Sequence, residues 1–183
     1  DVNVNNSRIG YIKILNKMGA KIKFKNVKKK YGEKLADIFV KSQPVLKKIN
    51  CPPNLNSNLI DEFLIIFLVA AKAKGVSNFT NLGELNKKES PRLKLGSKLL
   101  NHLGIKTRLT GDSIKIFGNP NIDLKKNIHI KDYFKDHRIF MTSVIAAYTF
   151  GGKWKIDDVS SYKSSFPSFL NILKKLGYKF KLS

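Results

Sequence analysis

Apolar residues recur at helical spacing in three stretches, ILNKMGAKIKF (14–24), LLNHLGIKTRL (99–109) and NILKKLGYKFKL (171–182). Each closes its helical period with an apolar residue and a glycine, Gly19, Gly104 or Gly177, and then alternates apolar with polar. Glycine just past a helix takes the left-handed conformation that caps it, and alternation marks a half-buried strand. Three amphipathic helices, each followed by a strand, are therefore predicted. A second pattern lies between them. IDEFLIIFLVAAKAKG (60–75) and HRIFMTSVIAAYTFGG (137–152) are apolar over most of their length. They read as helices buried over much of their surface, with Ala70-Ala71 and Ala146-Ala147 permitting close packing. A strand-like run follows each, VSNFTNL (76–82) or KWKIDDV (153–159). GEKLADIFVKS and PVLKKINCP predict strands near 32–52, PPNLNSN (52–58) a loop, and TRLTGDSIKIFG (107–118) a hairpin with a Gly-Asp turn.

The repeating order is buried helix, strand, amphipathic helix, strand, usually with one more strand. Such β-α-β units predict an α/β or α+β layered domain. The period of about 73–85 residues is too long for a solenoid and favours a pseudo-symmetric globule. The chain opens with a strand and an amphipathic helix, without the buried helix that precedes them elsewhere. That order leads us to expect a sequence that starts partway through a larger protein.

Composition changes the picture in one respect. The chain has 35 Lys plus Arg against 13 Asp plus Glu, a formal net charge of +22. Such a balance suggests a polyanionic partner. Only four of these cations are arginine, however, and the lysines run along the whole chain. Readers of nucleic acid favour arginine for contacts to guanine, so we expect no nucleic-acid partner. Small phosphorylated anions fit the charge equally well. Cys51 is the only cysteine, which excludes an internal disulfide and a cysteine zinc site. The three histidines lack metal-ligand spacing, and no metal is expected. The longest apolar run, Phe63 to Ala71, falls short of the ~20 residues that cross a bilayer. No membrane association and a cytoplasmic location are expected.

The arginines carry the candidate chemistry. In KKESPRL, Ser90 suits an N-cap, Pro91 the first helical position, and Arg92 the first turn. Glu89 and Arg92, three apart, share a face if the turn extends back. This is either a capped helix with solvated charges or part of an anion site. Peptide dipoles disfavour a cation at a helix start and favour an anion there. Arg138, behind the plausible N-cap Asp136, repeats the anomaly, and Arg8 follows Ser7 in the same way. Arg108 falls in a strand and reads as surface. Asp61 and Glu62 precede nine apolar residues. They serve the helix dipole, or Asp61 is a carboxylate able to take a proton from a substrate hydroxyl. SSYKSSFPSFL places Lys163, Ser164, Ser165 and Pro167 at another helix start.

These motifs resemble those of the EPSP synthase family, the 3-phosphoshikimate 1-carboxyvinyltransferases. LNKKESPRL is similar to its L-R-V-K-E-S-D-R-L motif, and DHRIFM to D-H-R-x-x-M. NNSRIGYIKILNKMGA resembles N-P-T-R-T-G-L-L-x-x-L-x-x-M-G-A. LIDEFLIIFLVAA resembles I-D-E-x-P-x-L-A-x-A-A, and SSFPSFLNILKKLG the closing S-F-P-x-F-x-x-x-L-x-x-L-G. Order and spacing agree from Asn5 to Gly177. The resemblance covers the C-terminal half of that family and implies an enolpyruvyl transferase-like, inside-out α/β barrel of βαβαββ units. Approximate units are 1–59, 60–118 and 119–183, with the N-terminal half as the missing partner. It implies transfer of enolpyruvyl from phosphoenolpyruvate to the 5-hydroxyl of shikimate 3-phosphate, by addition and elimination, without metal or organic cofactor. By motif, Asp61 would hold the hydroxyl and accept its proton, and Glu89 would exchange a proton with the methylene carbon. Lys88 would contact shikimate 3-phosphate, and Arg92 and Arg138 would clamp phosphoenolpyruvate. A fragment without the other half is expected to be inactive alone. Pro91 stands where the motif has Asp, Asn86 where it has Arg, Lys87 where it is apolar, and Leu64 where it has Pro. Some members place a phosphoenolpyruvate-binding lysine where Ser164 stands, beside Lys163, and neither is assigned. The alternatives are a fragment of a UDP-N-acetylglucosamine enolpyruvyl transferase and a stand-alone basic nucleic-acid-binding module. The former family lacks K-E-S-x-R and carries Leu for the His of D-H-R.

Overall fold

The computed structural model describes residues 1–131, 135–158 and 160–182. Two of its sheets share one topology. In the first, β1 (Val2–Asn3), β2 (Lys21–Lys30) and β3 (Glu33–Lys41) lie in the order β1-β3-β2, all antiparallel, with helix α1 (Gly10–Lys17) between β1 and β2 in sequence. In the second, β4 (Gly75–Phe79), β5 (Thr107–Thr110) and β6 (Ser113–Gly118) lie in the order β4-β6-β5, with α3 (Arg92–His102) between β4 and β5. The predicted hairpin is the β5–β6 pair, turning at Gly111 and Asp112. The third sheet pairs β7 (Leu124–Ile130) with β8 (Gly151–Ile156) in parallel, across the buried helix α4 (His137–Phe150). Of the strand-like run predicted over 153–159, residues 153–156 form the end of β8, Asp157 and Asp158 lie past it, and Val159 lies outside the described residues. Strand β7 was not predicted: Ile128 and Ile130 alternate with exposed His129, but exposed Lys125, Lys126 and Asn127 interrupt the apolar pattern.

The other buried helix, α2 (Phe63–Lys72), makes the same parallel crossover. Segment 46–51 runs parallel to β4 through bridges at Lys47–Lys74 and Asn50–Asn78. It is not a regular strand as predicted. The hydroxyl of fully buried Ser77 accepts from the Ile49 N–H at 3.2 Å and interrupts the ladder. Segment 46–51, α2, β4, α3, β5 and β6 together form a βαβαββ unit. The predicted loop at 52–58 is ordered as a 3-10 helix, Pro53–Leu59, packed against α1.

The three amphipathic helices end alike. Gly19, Gly104 and Gly177 all have positive φ. Each donates to the carbonyl three residues back, and the following residue donates to the carbonyl five back, at 2.9–3.0 Å. This is the double hydrogen bond of a left-handed C-cap. The third cap is not followed by its predicted strand. Asn16 and Asn101 tie the incoming β2 and β5 by accepting from Ile22 N–H and Thr107 N–H. Lys174 holds that position in the third repeat, and 178–182 runs without strand pairing. Phe180 still packs on the core, and the Tyr148 hydroxyl donates to the Lys179 carbonyl at 3.0 Å.

The core lies where α2, α3 and α4 meet. Phe63, Phe67, Phe79, Phe140 and Phe150 are at most 2% exposed. Gly96 lets α3 approach Leu64 and Phe67 of α2. A smaller cluster, Val4, Ile9, Ile12 and Ala36, sits between α1 and the first sheet. Among the described residues no single helix is long and apolar enough to cross a membrane.

Candidate active site

The polar starts of α2, α3 and α4 project from this apolar core at one place. Asp61 lies in the turn between the 3-10 helix and α2, one residue ahead of the Glu62 cap position. Neither acid caps α2 through its side chain. Instead, Asp61 is the centre of a cation cluster. Its Oδ1 is 3.6 Å from Arg92 Nη1 and 3.9 Å from Lys88 Nζ. Its Oδ2 is 3.4 Å from Arg138 Nη2 and 3.5 Å from Arg8 Nη2. Arg138 Nη1 also donates to the Asp61 carbonyl at 2.8 Å. The side-chain separations are ion-pair distances longer than a good hydrogen bond. They orient the carboxylate and leave its oxygens able to accept from a hydroxyl.

Helix α3 starts differently from the prediction. Arg92 is its first residue and Pro91 its cap position, without a side-chain cap bond. The Ser90 hydroxyl, predicted to cap it, donates to Asp136 Oδ2 at 2.6 Å instead. A bond to an ionised acceptor is the stronger of the two choices. Arg92 is only 2% exposed; its Nε donates to Asp136 Oδ2 at 3.0 Å and its Nη2 to Glu89. Glu89 and Lys88 are exposed at the rim. Asp136 is the predicted N-cap of α4, with Oδ1 accepting from Arg138 N–H and Ile139 N–H. Its ion-pair partner is Arg92. Burial by itself would raise the Asp136 carboxyl; the bonds from Ser90 and Arg92, the Arg92 charge and the Arg138 N–H outweigh it and hold it low. Glu62 goes the other way. Burial pushes its carboxyl up, neighbouring Asp61 adds to this, and Arg138 and Arg8 oppose it.

The structure thus brings together all five candidate residues, Asp61, Lys88, Glu89, Arg92 and Arg138. It adds Arg8, Ser90 and Asp136. The arginine signal had marked Arg8, although Arg8 lies ahead of α1 and its Ile9 cap position rather than in a first turn; the second role of Asp136 had no local signal, since its partners lie 44 and 46 residues away. Arg108 is exposed on β5, as expected. Lys163 is exposed, and Ser164 bonds within its own turn to the Ser161 carbonyl. Among the described residues no three of His, Cys, Asp and Glu gather to hold a metal ion. The arrangement suits a small anion at the rim, with a carboxylate beside it to take a proton.

The fold is that of the enolpyruvyl transferases. It superposes on 93% of this chain with the enolpyruvyl transferase NikO from Streptomyces tendae, at a TM-score of 0.64 and 14% identity, over 35% of that protein. Within this class the chain belongs to the EPSP synthase (3-phosphoshikimate 1-carboxyvinyltransferase) family, whose sequence model matches residues 1–173. The 3-phosphoshikimate 1-carboxyvinyltransferase of Ruthia magnifica is 40% identical over 181 residues, 99% of this chain and 41% of that protein. That of Thermodesulfovibrio yellowstonii is 36% identical, across 96% of this chain and 40% of the relative. An EPSP synthase structure from Acinetobacter baumannii matches at a TM-score of 0.85 and 28% identity, over the whole chain and 41% of its own length. The chain spans about 40% of the length of the curated relatives it matches.

Proposed function

We propose that this chain forms one wall of an EPSP synthase active site, which transfers the enolpyruvyl group of phosphoenolpyruvate to the 5-hydroxyl of shikimate 3-phosphate and releases phosphate. The meeting of Lys88, Arg92 and Arg138 on Asp61, from three helix starts, carries the reading. In the proposed reaction Asp61 accepts the hydroxyl proton as the oxygen bonds to the phosphate-bearing carbon. Glu89 gives a proton to the methylene carbon and takes one back as the carbon–oxygen bond to phosphate breaks, and the hydroxyl proton held by Asp61 leaves on the departing phosphate, so both carboxylates are restored and the proton and electron count balances. Lys88 binds shikimate 3-phosphate. Arg138 and Arg92 hold phosphoenolpyruvate, where planar guanidinium groups suit paired oxygens. The ligand replaces Glu89 on Arg92, which also frees Glu89 for proton transfer. On this reading residues 1–183 form one domain of three units, the second of which takes in segment 46–51 and so starts ahead of the expected boundary near 60. The remaining substrate contacts come from the part of the relatives that lies beyond the match, and no metal or organic cofactor takes part.

The test mixes this chain with the complementary part of the Ruthia magnifica relative and measures phosphate release from the two substrates. Release that depends on both parts, and on both substrates, supports the proposal. Two folded parts that associate yet release no phosphate would overturn it.

A further inference from the structure

Asp136 has no part in the proposed chemistry, yet its side chain is fully buried at the junction of α3 and α4. Its two oxygens receive four hydrogen bonds. Oδ1 takes Arg138 N–H at 2.8 Å and Ile139 N–H at 3.3 Å; Oδ2 takes Ser90 Oγ–H at 2.6 Å and Arg92 Nε–H at 3.0 Å. A carboxylate has about four acceptor sites, so none is left for a ligand. One oxygen serves the start of α4 and the other the start of α3. A bond at Nε also fixes the plane of a guanidinium, because the group is rigid and planar. With Nε held from behind, Nη1 faces Asp61 and Nη2 faces Glu89.

We propose that Asp136 is a positioning residue that sets the plane of the Arg92 guanidinium and ties it in register with the backbone of Arg138. One carboxylate thereby fixes the spacing of two arginines from separate helices. The proposal rests on the reading above only for its kinetic consequence; the coupling itself belongs to the isolated chain. A cap alone would need just one oxygen, and Asn caps a helix as well as Asp does. Asp136→Asn therefore separates the two roles. Its amide oxygen keeps the α4 cap, while its NH2 group faces two donors, Arg92 Nε–H and Ser90 Oγ–H. The cap survives and the link to Arg92 breaks.

The decisive measurement is hydrogen exchange of the Arg92 Nε–H in the 183-residue chain by nuclear magnetic resonance. We expect exchange at least about tenfold faster in Asp136→Asn, the factor that losing one charge-assisted hydrogen bond implies, together with a lower thermal midpoint, because the buried Arg92 loses its carboxylate partner. Ser90→Ala, which removes only the neighbouring bond, should give a smaller acceleration. Unchanged Arg92 exchange in Asp136→Asn overturns the proposal. If that variant does not fold, unchanged exchange in Ser90→Ala overturns it. In the complemented enzyme, Asp136→Asn should raise KM for phosphoenolpyruvate about tenfold and leave KM for shikimate 3-phosphate within about twofold. An equal rise in both KM values would reduce Asp136 to a structural cap. Absence of phosphate release from the unaltered complemented pair would sink the functional reading alone, and the exchange measurement would still decide the role of Asp136.

Discussion

Asp61 stands among four cations whose distances, 3.4–3.9 Å, orient its carboxylate without saturating it. Asp61→Asn keeps the shape and removes the base. We predict a fall in kcat of about 10²–10⁴ in the complemented enzyme, the usual size of a general-base contribution. KM for phosphoenolpyruvate should hold or fall, since the cations lose a competing anion; steady-state kinetics checks both. Asp136 predicts a pH dependence. Its folded carboxyl titrates below the ordinary 3.8, so its stabilising contribution is complete above 3.8 and is lost as pH falls through the lowered folded value. Thermal melts below about pH 4 should therefore show a steeper loss of stability for the unaltered chain than for Asp136→Asn, which cannot titrate there. At this scale the sequence was legible where the rule was local. Arginine against the helix dipole marked Arg92 and Arg138, which do lie in the first turns of α3 and α4, and Asp136 read correctly as a cap; Arg8 was marked in the same way but precedes α1, whose cap position is Ile9. Ser90 read wrongly, because its hydroxyl answers to a carboxylate 46 residues away rather than to its own helix.

Helix ends and the strands that follow them show how one local device propagates. The double-bonded glycine caps form in all three repeats, but a strand follows only where an asparagine ties it down. Asn101 Oδ1 accepts from both Thr107 N–H and Thr107 Oγ1–H, at 3.1 and 3.0 Å. Asn101→Ala should lower stability by about 1–2 kcal/mol and the melting midpoint by roughly 3–6 °C, read by circular dichroism. The loss should come with faster amide exchange at Thr107, the bond that the side chain closes. Alternation alone had predicted a strand at 178–182, and hydrophobic period cannot distinguish a strand from a segment that lacks a pairing edge. The reverse error is β7. Its outward lysines hide a strand that exists because β8 runs beside it in parallel, a non-local cause. Segment 46–51 lies between these cases, a parallel neighbour of β4 whose two bridges are three residues apart on one side and four on the other, with the Ile49 N–H turned to the Ser77 hydroxyl.

The whole molecule carries +22, and most of that charge lies away from Asp61. Two effects of salt should then have opposite signs. Screening relieves self-repulsion, so the thermal midpoint should rise between about 0.05 and 0.5 M potassium chloride. Over the same range, binding of phosphoenolpyruvate to the complemented enzyme should weaken, because the same ions screen its attraction to Arg138 and Lys88. Calorimetry and titration separate the two; a midpoint and an affinity that move together would contradict this picture. The sequence by itself determined the helices, the glycine caps that end three of them, the buried character of α2 and α4, the repeated α/β order and the family motifs. These follow from periodicities of two and 3.6 residues and from the backbone preferences of glycine and proline. Only the tertiary structure decided that three helix starts converge on Asp61, that Asp136 serves two of them at once, and which alternating runs become strands. Each of these depends on partners far apart in the chain, and packing of α2, α3 and α4 about one core is what brings the partners together.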